Sequence, residues 1–315
     1  MKVLVTGGAG FIGSHMVEEL LNRGFSVVVL DDLSTGKLEN LPAANGSLRF
    51  IKGSILDRIK VAEAIHDCDA VIHLAAIASV QASIDHPLQA HQVNFDGTLH
   101  LLEAARKAGT RRFLFASSAS VYGGGGRNAI SEDDPVAPMT PYAIDKLAGE
   151  YYLKHYLNIC GLNFTAFRFF NVYGSRQNSS SPYSGVISIF TANSIAGKPI
   201  KIYGDGGQTR DFVYVRDVCK ILVTAIDTSE MYGRILNVGT GHCISVLDLV
   251  EKIGIVIGRK VTVEQYPART GEVRHSLASV NLLRSMGYLD EMTPILHGLK
   301  KTIADSGIEK AAEGT

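Results

Sequence analysis

The run TGGAGFIG at positions 6–13 follows the apolar residues 3–5 and precedes apolar residues at helical spacing over 11–21. This order predicts a buried strand that turns tightly into a helix. Glycines at 7, 8, 10 and 13 allow the turn, a close approach to a pyrophosphate, and tight packing of helix on strand. The first turn of the helix directs its N–H groups at an anion. The run therefore predicts a phosphate-binding turn.

An acidic residue follows at the distance that a dinucleotide site needs. The predicted strand 26–30 ends at Asp31, eighteen residues after Gly13. A carboxylate there accepts both hydroxyls of an adenosine ribose and repels a 2′-phosphate, so the pattern predicts NAD in preference to NADP. The alternative is that Asp31 and Asp32 only cap a loop.

A tyrosine and a lysine could carry acid–base chemistry. Tyr142 and Lys146 are four residues apart just after Pro141, which puts the phenol and the ammonium on one helix face. A nearby ammonium favours the phenolate, so we expect a lowered pKa for Tyr142 and a base that works at neutral pH. Alone, the spacing also fits a solvated helix face. Ser118, just beyond the predicted strand 112–116, lies where open parallel sheets bind ligands, and its hydroxyl can relay a proton.

Alternating strand and helix patterns must position these residues. The further predicted elements of the first half are strands 48–52, 70–74 and 163–169 and helices 59–66, 94–108 and 142–158. They indicate an α/β fold, a Rossmann-type doubly wound parallel sheet covered on both faces. From Asn171 the pattern loosens into shorter elements. We predict a dinucleotide-binding domain over 1–170 and a smaller α/β substrate lobe over 171–315, with some chain returning to the first domain.

Composition excludes several classes of function. The 31 Lys and Arg residues balance 31 Asp and Glu residues, so no nucleic-acid or membrane surface is indicated. Four widely spaced cysteines indicate reduced thiols, and ten histidines show no grouping typical of a metal site. Without a leader or an apolar run of membrane-spanning length, we expect a soluble, cytoplasmic protein that binds no metal.

Four segments together resemble a known family: 6–13, 117–123, 142–146 and the run FFNVYG at 169–174. They resemble the extended short-chain dehydrogenase/reductase family. Within it, they are most similar to the nucleotide-sugar 4-epimerases of the UDP-glucose and UDP-N-acetylglucosamine kind. The resemblance runs from Met1 to about Gly287. It implies Tyr142 as the base, Lys146 as the residue that binds the nicotinamide ribose and tunes Tyr142, and Ser118 as their hydrogen-bonding partner. The implied NAD contacts are Gly7, Gly10, Phe11, Ile12, Gly13, Asp31, Ser54, Ile55, Leu74, Ala75, Ala76, Asn94, Tyr142 and Lys146.

The substrate lobe resembles the same family. The resemblance implies that Asn171 touches the sugar diphosphate, that Arg210 and Arg269 neutralise phosphate, and that Glu272 takes the uridine ribose. Forked arginine donors suit phosphate oxygens. The implied contacts with a UDP-sugar are Ser118, Asn171, Val186, Tyr203, Arg210, Arg269, Glu272 and Ser276.

Departures from the family pattern select among its reactions. Ser54 stands where the family usually has an aspartate that contacts adenine. The dehydratases carry Thr-Asp-Glu where this chain has Ser118, Ala119 and Ser120, and the decarboxylating relatives keep a glutamate at the Ser120 position. Without that acid, elimination lacks its proton donor, which favours epimerisation.

The resemblance thus implies an NAD-dependent isomerase that epimerises C4 of a UDP-hexose through a 4-keto intermediate. It also implies a homodimer formed through the helices 94–108 and 142–158. Two alternatives stay open: a nucleotide-sugar dehydratase or reductase on the same fold, and a non-catalytic protein that senses NAD. A small Ser276 at the family's gate position implies room for an N-acetyl group, unless Tyr183 or Tyr203 closes the pocket.

Overall fold

The computed structural model describes residues 1–43, 46–124, 128–178, 185–268, 273–288 and 291–305. It divides the chain into two compact units. The first contains Met1–Val121, Val136–Phe169 and Val218–Leu236, and the second contains Tyr122–Pro135, Phe170–Asp217 and the chain from Asn237 onward. The excursion of Tyr122–Pro135 into the second unit is absent from the division predicted from the sequence.

Strands and helices alternate through the described residues. The strands are β1 (Lys2–Thr6), β2 (Ser26–Asp31), β3 (Leu48–Lys52), β4 (Ala70–His73), β5 (Arg112–Ser118), β6 (Asn163–Phe169), β7 (Asn171–Tyr173), β8 (Ile200–Tyr203), β9 (Thr209–Tyr214), β10 (Arg234–Val238), β11 (Cys243–Ser245), β12 (Val263–Tyr266) and β13 (His275–Ser276). The α-helices are α1 (Phe11–Asn22), α2 (Arg58–Ile65), α3 (Val80–Asp85), α4 (Pro87–His91), α5 (Gly97–Ala108), α6 (Pro141–Cys160), α7 (Val186–Ile195), α8 (Val215–Ala225), α9 (Val246–Ile257), α10 (Asn281–Ser285) and α11 (Ile295–Asp305).

The main sheet, as described, has seven strands in the order β10-β6-β5-β4-β1-β2-β3. The pairings among β1 to β6 are all parallel. Nearly every residue of β1, β2 and β4 is buried, as expected for strands with helices on both faces. The predicted Rossmann-type doubly wound sheet is therefore confirmed. Parallel pairing brings the carboxyl ends of these strands to one edge, where Thr6, Asp31, His73 and Ser118 lie.

Helix α6 carries Tyr142 and Lys146, and its start is fixed locally. Thr140 caps the helix, because its hydroxyl oxygen accepts a hydrogen bond from the Ala143 amide at 3.3 Å. Pro141 occupies the first helical position, where its fixed backbone angle suits the helix and its missing N–H is not needed. The helix ends at Gly161, which adopts a left-handed conformation.

In the second unit β9 is the central strand. It pairs antiparallel with β11 and parallel with β13 and β7. The buried Asp211 carboxylate accepts hydrogen bonds from Thr240, Gly241 and Ala278. These contacts tie β9 to the turn before β11 and to the segment that follows β13. Strands β8 and β12 form a separate parallel pair.

In the first unit, the structure differs from the predicted elements at one place that bears on the site. The predicted helix 94–108 is not continuous: its first residues belong to a π-helical turn over Gln92–Asp96 that follows α4, and α5 begins only at Gly97. Sequence periodicity does not register a wider turn inside an otherwise helical run, and π-turns often occur at functional sites. In the part of the chain that the structure describes, every helix is too short or too polar to span a bilayer.

Candidate active site

The glycine-rich turn between β1 and α1 has the geometry that its sequence predicts. Gly7 has a φ of +69°, and a Cβ there would lie 2.8 Å from the Ala75 backbone nitrogen. A Cβ on Gly13 would lie 2.0 Å from the Gly7 carbonyl oxygen. Both values are shorter than real contacts, so any side chain at either position would push the turn apart.

The N-terminus of α1 is suited to an anion. Its cap residue, Gly10, supplies no side-chain hydrogen bond. The first helical bond runs from the Ser14 amide to the Gly10 carbonyl, so the amides of Phe11, Ile12 and Gly13 precede it. Such amides and the helix dipole together attract phosphate. The cradle that a Cβ would fill and the uncapped helix end both fit a dinucleotide pyrophosphate.

Asp31, which ends β2, is buried and held by the backbone. Its two carboxylate oxygens accept the Ala9 amide at 2.9 Å and the Leu33 amide at 2.8 Å. Burial raises the pKa of Asp31, and these two hydrogen bonds oppose that rise. The carboxylate therefore does cap a loop, but each oxygen can accept a further hydrogen bond. Its capping contacts fix the oxygens next to the glycine-rich turn.

Ser54 and Ile55 follow β3, beside Asp31. The Gly53 amide donates to the Asp31 carbonyl at 3.0 Å. The Ser54 hydroxyl accepts the Leu56 amide at 3.2 Å, so it closes its own turn. Ile55 is buried against Gly97, where an added Cβ would lie 2.5 Å from its side chain. The Ser54 and Ile55 side chains thus shape the turn and the core of this segment.

A buried polar network lies beneath the segment that contains Leu74, Ala75 and Ala76. The Thr98 hydroxyl donates to the Asn94 carbonyl at 2.6 Å and so accepts from His73 Nε2 at 2.9 Å. His73 Nδ1 then accepts from Thr6 Oγ1 at 2.8 Å. Burial keeps the pKa of His73 well below its ordinary value, consistent with this neutral tautomer. The network was missed from the sequence because His73 reads there only as the end of an apolar strand.

The network ends on backbone groups of the same segment. The Ala75 amide donates to Thr6 Oγ1 at 3.3 Å. The buried Asn94, in the π-helical turn, accepts the Ile77 amide at 2.8 Å and donates to the Ile77 carbonyl at 3.2 Å. Thr6 and Asn94 therefore hold residues 75–77 against Gly7, which gives Asn94 a concrete means of shaping the site.

Ser118, Tyr142 and Lys146 lie together in the first unit. Ser118 ends β5 and hydrogen-bonds the Tyr142 phenol. Its oxygen also accepts the Ser120 amide at 3.2 Å. Lys146 is buried one helical turn beyond Tyr142, with Nζ 5.8 Å from the Tyr142 ring centroid and 4.9 Å from that of Phe115. This arrangement can move a proton between the phenol and a hydroxyl bound at Ser118.

The sequence predicts a lowered pKa for Tyr142, and this prediction is wrong when only groups of the protein act on the phenol. Burial raises the pKa of Tyr142 above its ordinary value, and the hydrogen bond with Ser118 only partly opposes this. Burial also lowers the pKa of Lys146 to about 8, against the opposing effect of the Asp145 carboxylate. Desolvation thus outweighs the ammonium–phenol attraction that sequence spacing suggests.

Apart from Ser118, the predicted substrate contacts that the structure describes belong to the second unit. Arg210 and Ser276 are direct partners in the pairing of β9 with β13. Asn171 begins β7, and its side chain donates to the Asp211 carbonyl on β9 at 3.4 Å. The structure therefore brings these three residues to one sheet.

The other predicted substrate contacts belong to different elements or are not described. Val186 begins α7, and Tyr203 ends β8, where its ring lies 5.7 Å from that of Tyr266. Arg269, Glu272 and Tyr183 lie outside the described residues.

A buried ion pair behind the site was also missed from the sequence. Arg168 on β6 donates twice to the Glu150 carboxylate on α6, at 3.0 and 2.8 Å. Ser117, next to Ser118, donates to the same carboxylate at 2.5 Å. Glu150 lies one turn beyond Lys146, so the pair fixes α6 to β5 and β6. The only sequence signal for this ion pair is the four-residue spacing of Lys146 and Glu150 on one helix. The partners of Glu150, Ser117 and Arg168, lie on strands that are distant from it in sequence.

No group of three or more potential metal ligands is placed to hold an ion among the described residues. A parallel sheet that carries a glycine-rich turn, an acidic residue after the second strand and a Ser–Tyr–Lys set is typical of dinucleotide-dependent enzymes of the short-chain dehydrogenase type.

Comparisons with known proteins agree. A sequence profile of the NAD dependent epimerase/dehydratase family matches residues 3–239. The UDP-glucose 4-epimerase of Mycolicibacterium smegmatis is 40% identical over 307 residues, covering 96% of this chain and 97% of that protein. Thermus thermophilus UDP-glucose 4-epimerase in complex with NAD is 37% identical, with a TM-score of 0.90 and coverage of 99% and 100%.

A further similar structure carries a different sugar. The UDP-N-acetylglucosamine 4-epimerase of Methanobrevibacter ruminantium, in complex with UDP-N-acetylmuramic acid, is 35% identical, with a TM-score of 0.91 and coverage of 98% of each chain. The chain belongs to the NAD dependent epimerase/dehydratase family, and its cofactor is NAD. The resemblance to nucleotide-sugar 4-epimerases is thereby confirmed.

Proposed function

We propose that this chain epimerises C4 of UDP-hexoses, UDP-glucose and UDP-galactose and their N-acetyl forms, through a 4-keto intermediate. The observation that carries the proposal is the Ser118 hydroxyl next to the buried Tyr142 phenol, with the buried Lys146 one helical turn away and its Nζ 5.8 Å from the Tyr142 ring centroid. Residues 119 and 120, where lyases of this fold carry acids, are Ala119 and Ser120. The site thus has a base and a proton relay, and it lacks the acid that would drive elimination at those two positions.

The residues that would hold NAD are the glycine-rich turn, Asp31 and the segment 74–77 supported by Asn94. When bound, NAD supplies the acceptor for the C4 hydride and the donor that returns it. Tyr142 takes the proton of the 4-hydroxyl, relayed by Ser118, and gives it back after the keto sugar has turned over. The Lys146 ammonium supplies positive charge beside the phenol. This charge must offset the effect of burial on the pKa of Tyr142, because burial otherwise keeps the phenol protonated.

The diphosphate must stay held while the sugar ring turns. Arg210 suits this role, because a guanidinium matches phosphate oxygens with paired donors. Asn171 lies on the strand beside Arg210 and offers an amide donor. We assign Arg269 to the same diphosphate and Glu272 to the uridine ribose by resemblance.

The decisive experiment incubates the purified protein separately with UDP-glucose and UDP-N-acetylglucosamine and resolves the products by chromatography and NMR. Epimerisation gives a C4 epimer of unchanged mass, at an equilibrium ratio reached from either side. A product lighter by water would instead identify a dehydratase, and a keto sugar formed together with NADH from added NAD would identify a reductase running in reverse. Tight NAD binding without turnover of either sugar would favour the sensor.

Sugar size is tested at Ser276, which is paired with Arg210. A small residue at this position supports acceptance of a C2 acetamido group, and a tyrosine would fill that space. We expect Ser276→Tyr to lose kcat/KM for UDP-N-acetylglucosamine while keeping most of it for UDP-glucose. Equal losses for both sugars, or a wild type inactive on the N-acetyl sugar, would refute the gate.

We further propose a homodimer through the outer faces of α5 and α6. Helix α6 exposes three large side chains, Tyr151, Tyr152 and Ile159. A group of large exposed side chains on one helix is typical of an interface. Light scattering should give twice the chain mass, and Tyr152→Glu should halve it. A monomeric wild type at micromolar concentration would contradict the proposal.

A further inference from the structure

Asp145 is a buried carboxylate beside the site that the mechanism above does not use. It precedes Lys146 on α6, and only 3% of its surface is exposed. Its Oδ1 lies 2.7 Å from His91 Nδ1. Its Oδ2 is buried and has no hydrogen-bond partner among the described residues. A buried carboxylate with one oxygen unsatisfied is costly, so its presence one residue before the buried Lys146 calls for a reason.

His91 connects this carboxylate to the surface. Its side chain is 52% exposed, and its ring stacks on that of Phe95 at 5.2 Å. The stacking fixes the ring so that Nδ1 points at Asp145. His91 ends α4 and Asp145 lies on α6, so the hydrogen bond also joins the two helices.

We propose that Asp145 is a positioning residue of this site, and that its buried carboxylate, held by His91, is the counter-charge that keeps the Lys146 side chain in its ammonium form. The part that Lys146 plays in epimerisation rests on the proposed function. The charge relation between Asp145 and Lys146 does not, because both residues lie in the NAD-binding unit.

The charged groups around the pair support this assignment. Burial raises the pKa of Asp145. The hydrogen bond with His91 from α4 and the attraction of His91 and Lys146 oppose that rise, and the Asp96 carboxylate from the π-helical turn adds to it. Lys146 faces the rings of Phe115 and Tyr142 and also influences the neutral His73 on β4. Burial lowers the pKa of Lys146 to about 8, and Asp145 provides the opposing attraction.

The test compares Asp145→Asn with wild type by the pH dependence of NAD binding, measured calorimetrically between pH 6 and 9 on protein stripped of cofactor. The loss of one buried counter-charge should move the midpoint of the Lys146 titration from about pH 8 to about pH 7. If NAD binds the ammonium form, affinity should then drop about fivefold at pH 8 and less than twofold at pH 6. The alkaline limb of kcat/KM should move by the same amount.

Variants at His91 and Asp96 separate a charge effect from a structural one. His91→Asn keeps an amide donor near the position of Nδ1 and should keep the wild-type midpoint. His91→Ala removes the donor to Oδ1 and opens the carboxylate to water, which weakens its attraction for Lys146, so the midpoint should move in the same direction as in Asp145→Asn but by less. Asp96→Asn removes a different negative charge, one that influences Asp145 but is not next to Lys146 in the chain. It should move the midpoint of the Lys146 titration by less than about 0.3 pH units.

The outcomes distinguish the hypotheses. An equal loss of NAD affinity at pH 6 and pH 8 in Asp145→Asn would overturn the proposal, because a structural defect does not follow the charge of a lysine. An equal midpoint shift in Asp96→Asn would overturn it as well. If the midpoint shifts as expected in a protein that epimerises no UDP-sugar, the proposed function fails and the role of Asp145 stands. If Asp145→Asn does not fold, His91→Ala carries the same test.

Discussion

Replacing Tyr142 by phenylalanine removes one oxygen from the site and leaves its packing in place. The Tyr142 ring is 9% exposed and packs in the same way without its hydroxyl. Ser118 loses the phenol but keeps the Ser120 amide as a donor at 3.2 Å. The loss of one neutral hydrogen bond lowers the free energy of unfolding by about 1 kcal/mol. The variant should therefore fold and bind NAD.

The effect on turnover is expected to be much larger. A positioned general base contributes about 10²- to 10⁴-fold, equivalent to about 2.7 to 5.4 kcal/mol of barrier. We expect Tyr142→Phe to lose kcat by at least about a hundredfold with unchanged NAD content. Because burial raises the pKa of Tyr142, wild-type kcat/KM should rise with pH on its acid side. The variant should lose that dependence.

The assay measures UDP-galactose formed from UDP-glucose, NAD released on denaturation, and the midpoint of thermal unfolding. Tyr151→Phe is the matched control, because it removes the same oxygen from the same helix away from Ser118 and keeps the ring that we assign to the dimer face. It should keep the wild-type kcat. A Tyr142→Phe enzyme that retains more than a tenth of wild-type kcat would refute the assignment of the base.

Three further predictions concern the cofactor turn and the support behind the site. Wild-type protein should bind NAD more tightly than NADP by calorimetry, and Asp31→Asn should narrow that difference, since it removes the charge that repels a 2′-phosphate; equal binding of both by wild type would contradict this. Gly13→Ala places a Cβ 2.0 Å from a carbonyl oxygen and should weaken NAD binding at least tenfold, whereas Gly46→Ala, with open space around it, should not. Glu150→Gln leaves Arg168 as an uncompensated buried charge and should lower the free energy of unfolding in urea by about 3 kcal/mol; a change below about 1 kcal/mol would show that the ion pair is replaceable.

Much of the first unit could be predicted from the sequence because its signals are local. Continuous apolar runs mark β1, β2 and β4; the glycine-rich turn follows β1, and Asp31 ends β2. Parallel pairing then brings strand ends to one edge whatever lies between them in sequence. Tyr142 and Ser118 therefore lie together, although 23 residues stand between them in the sequence.

The second unit was predicted less well because its order depends on distant contacts. Neither β9 nor α7 is among the predicted elements. The buried Asp211 explains part of this, since its hydrogen bonds reach Thr240 and Ala278. A polar residue inside a short strand resembles a loop until its partners are known.

The main quantity that the sequence could not give is the effect of burial on the two central charges. Spacing predicts that Lys146 assists Tyr142, but burial raises the pKa of the phenol and lowers that of the amine. Each shift disfavours the charged form that the chemistry needs. A lysine that is 2% exposed can assist only if another group keeps it protonated. The buried, half-satisfied carboxylate of Asp145 is therefore the group whose removal should show how the site sustains its charges near neutral pH.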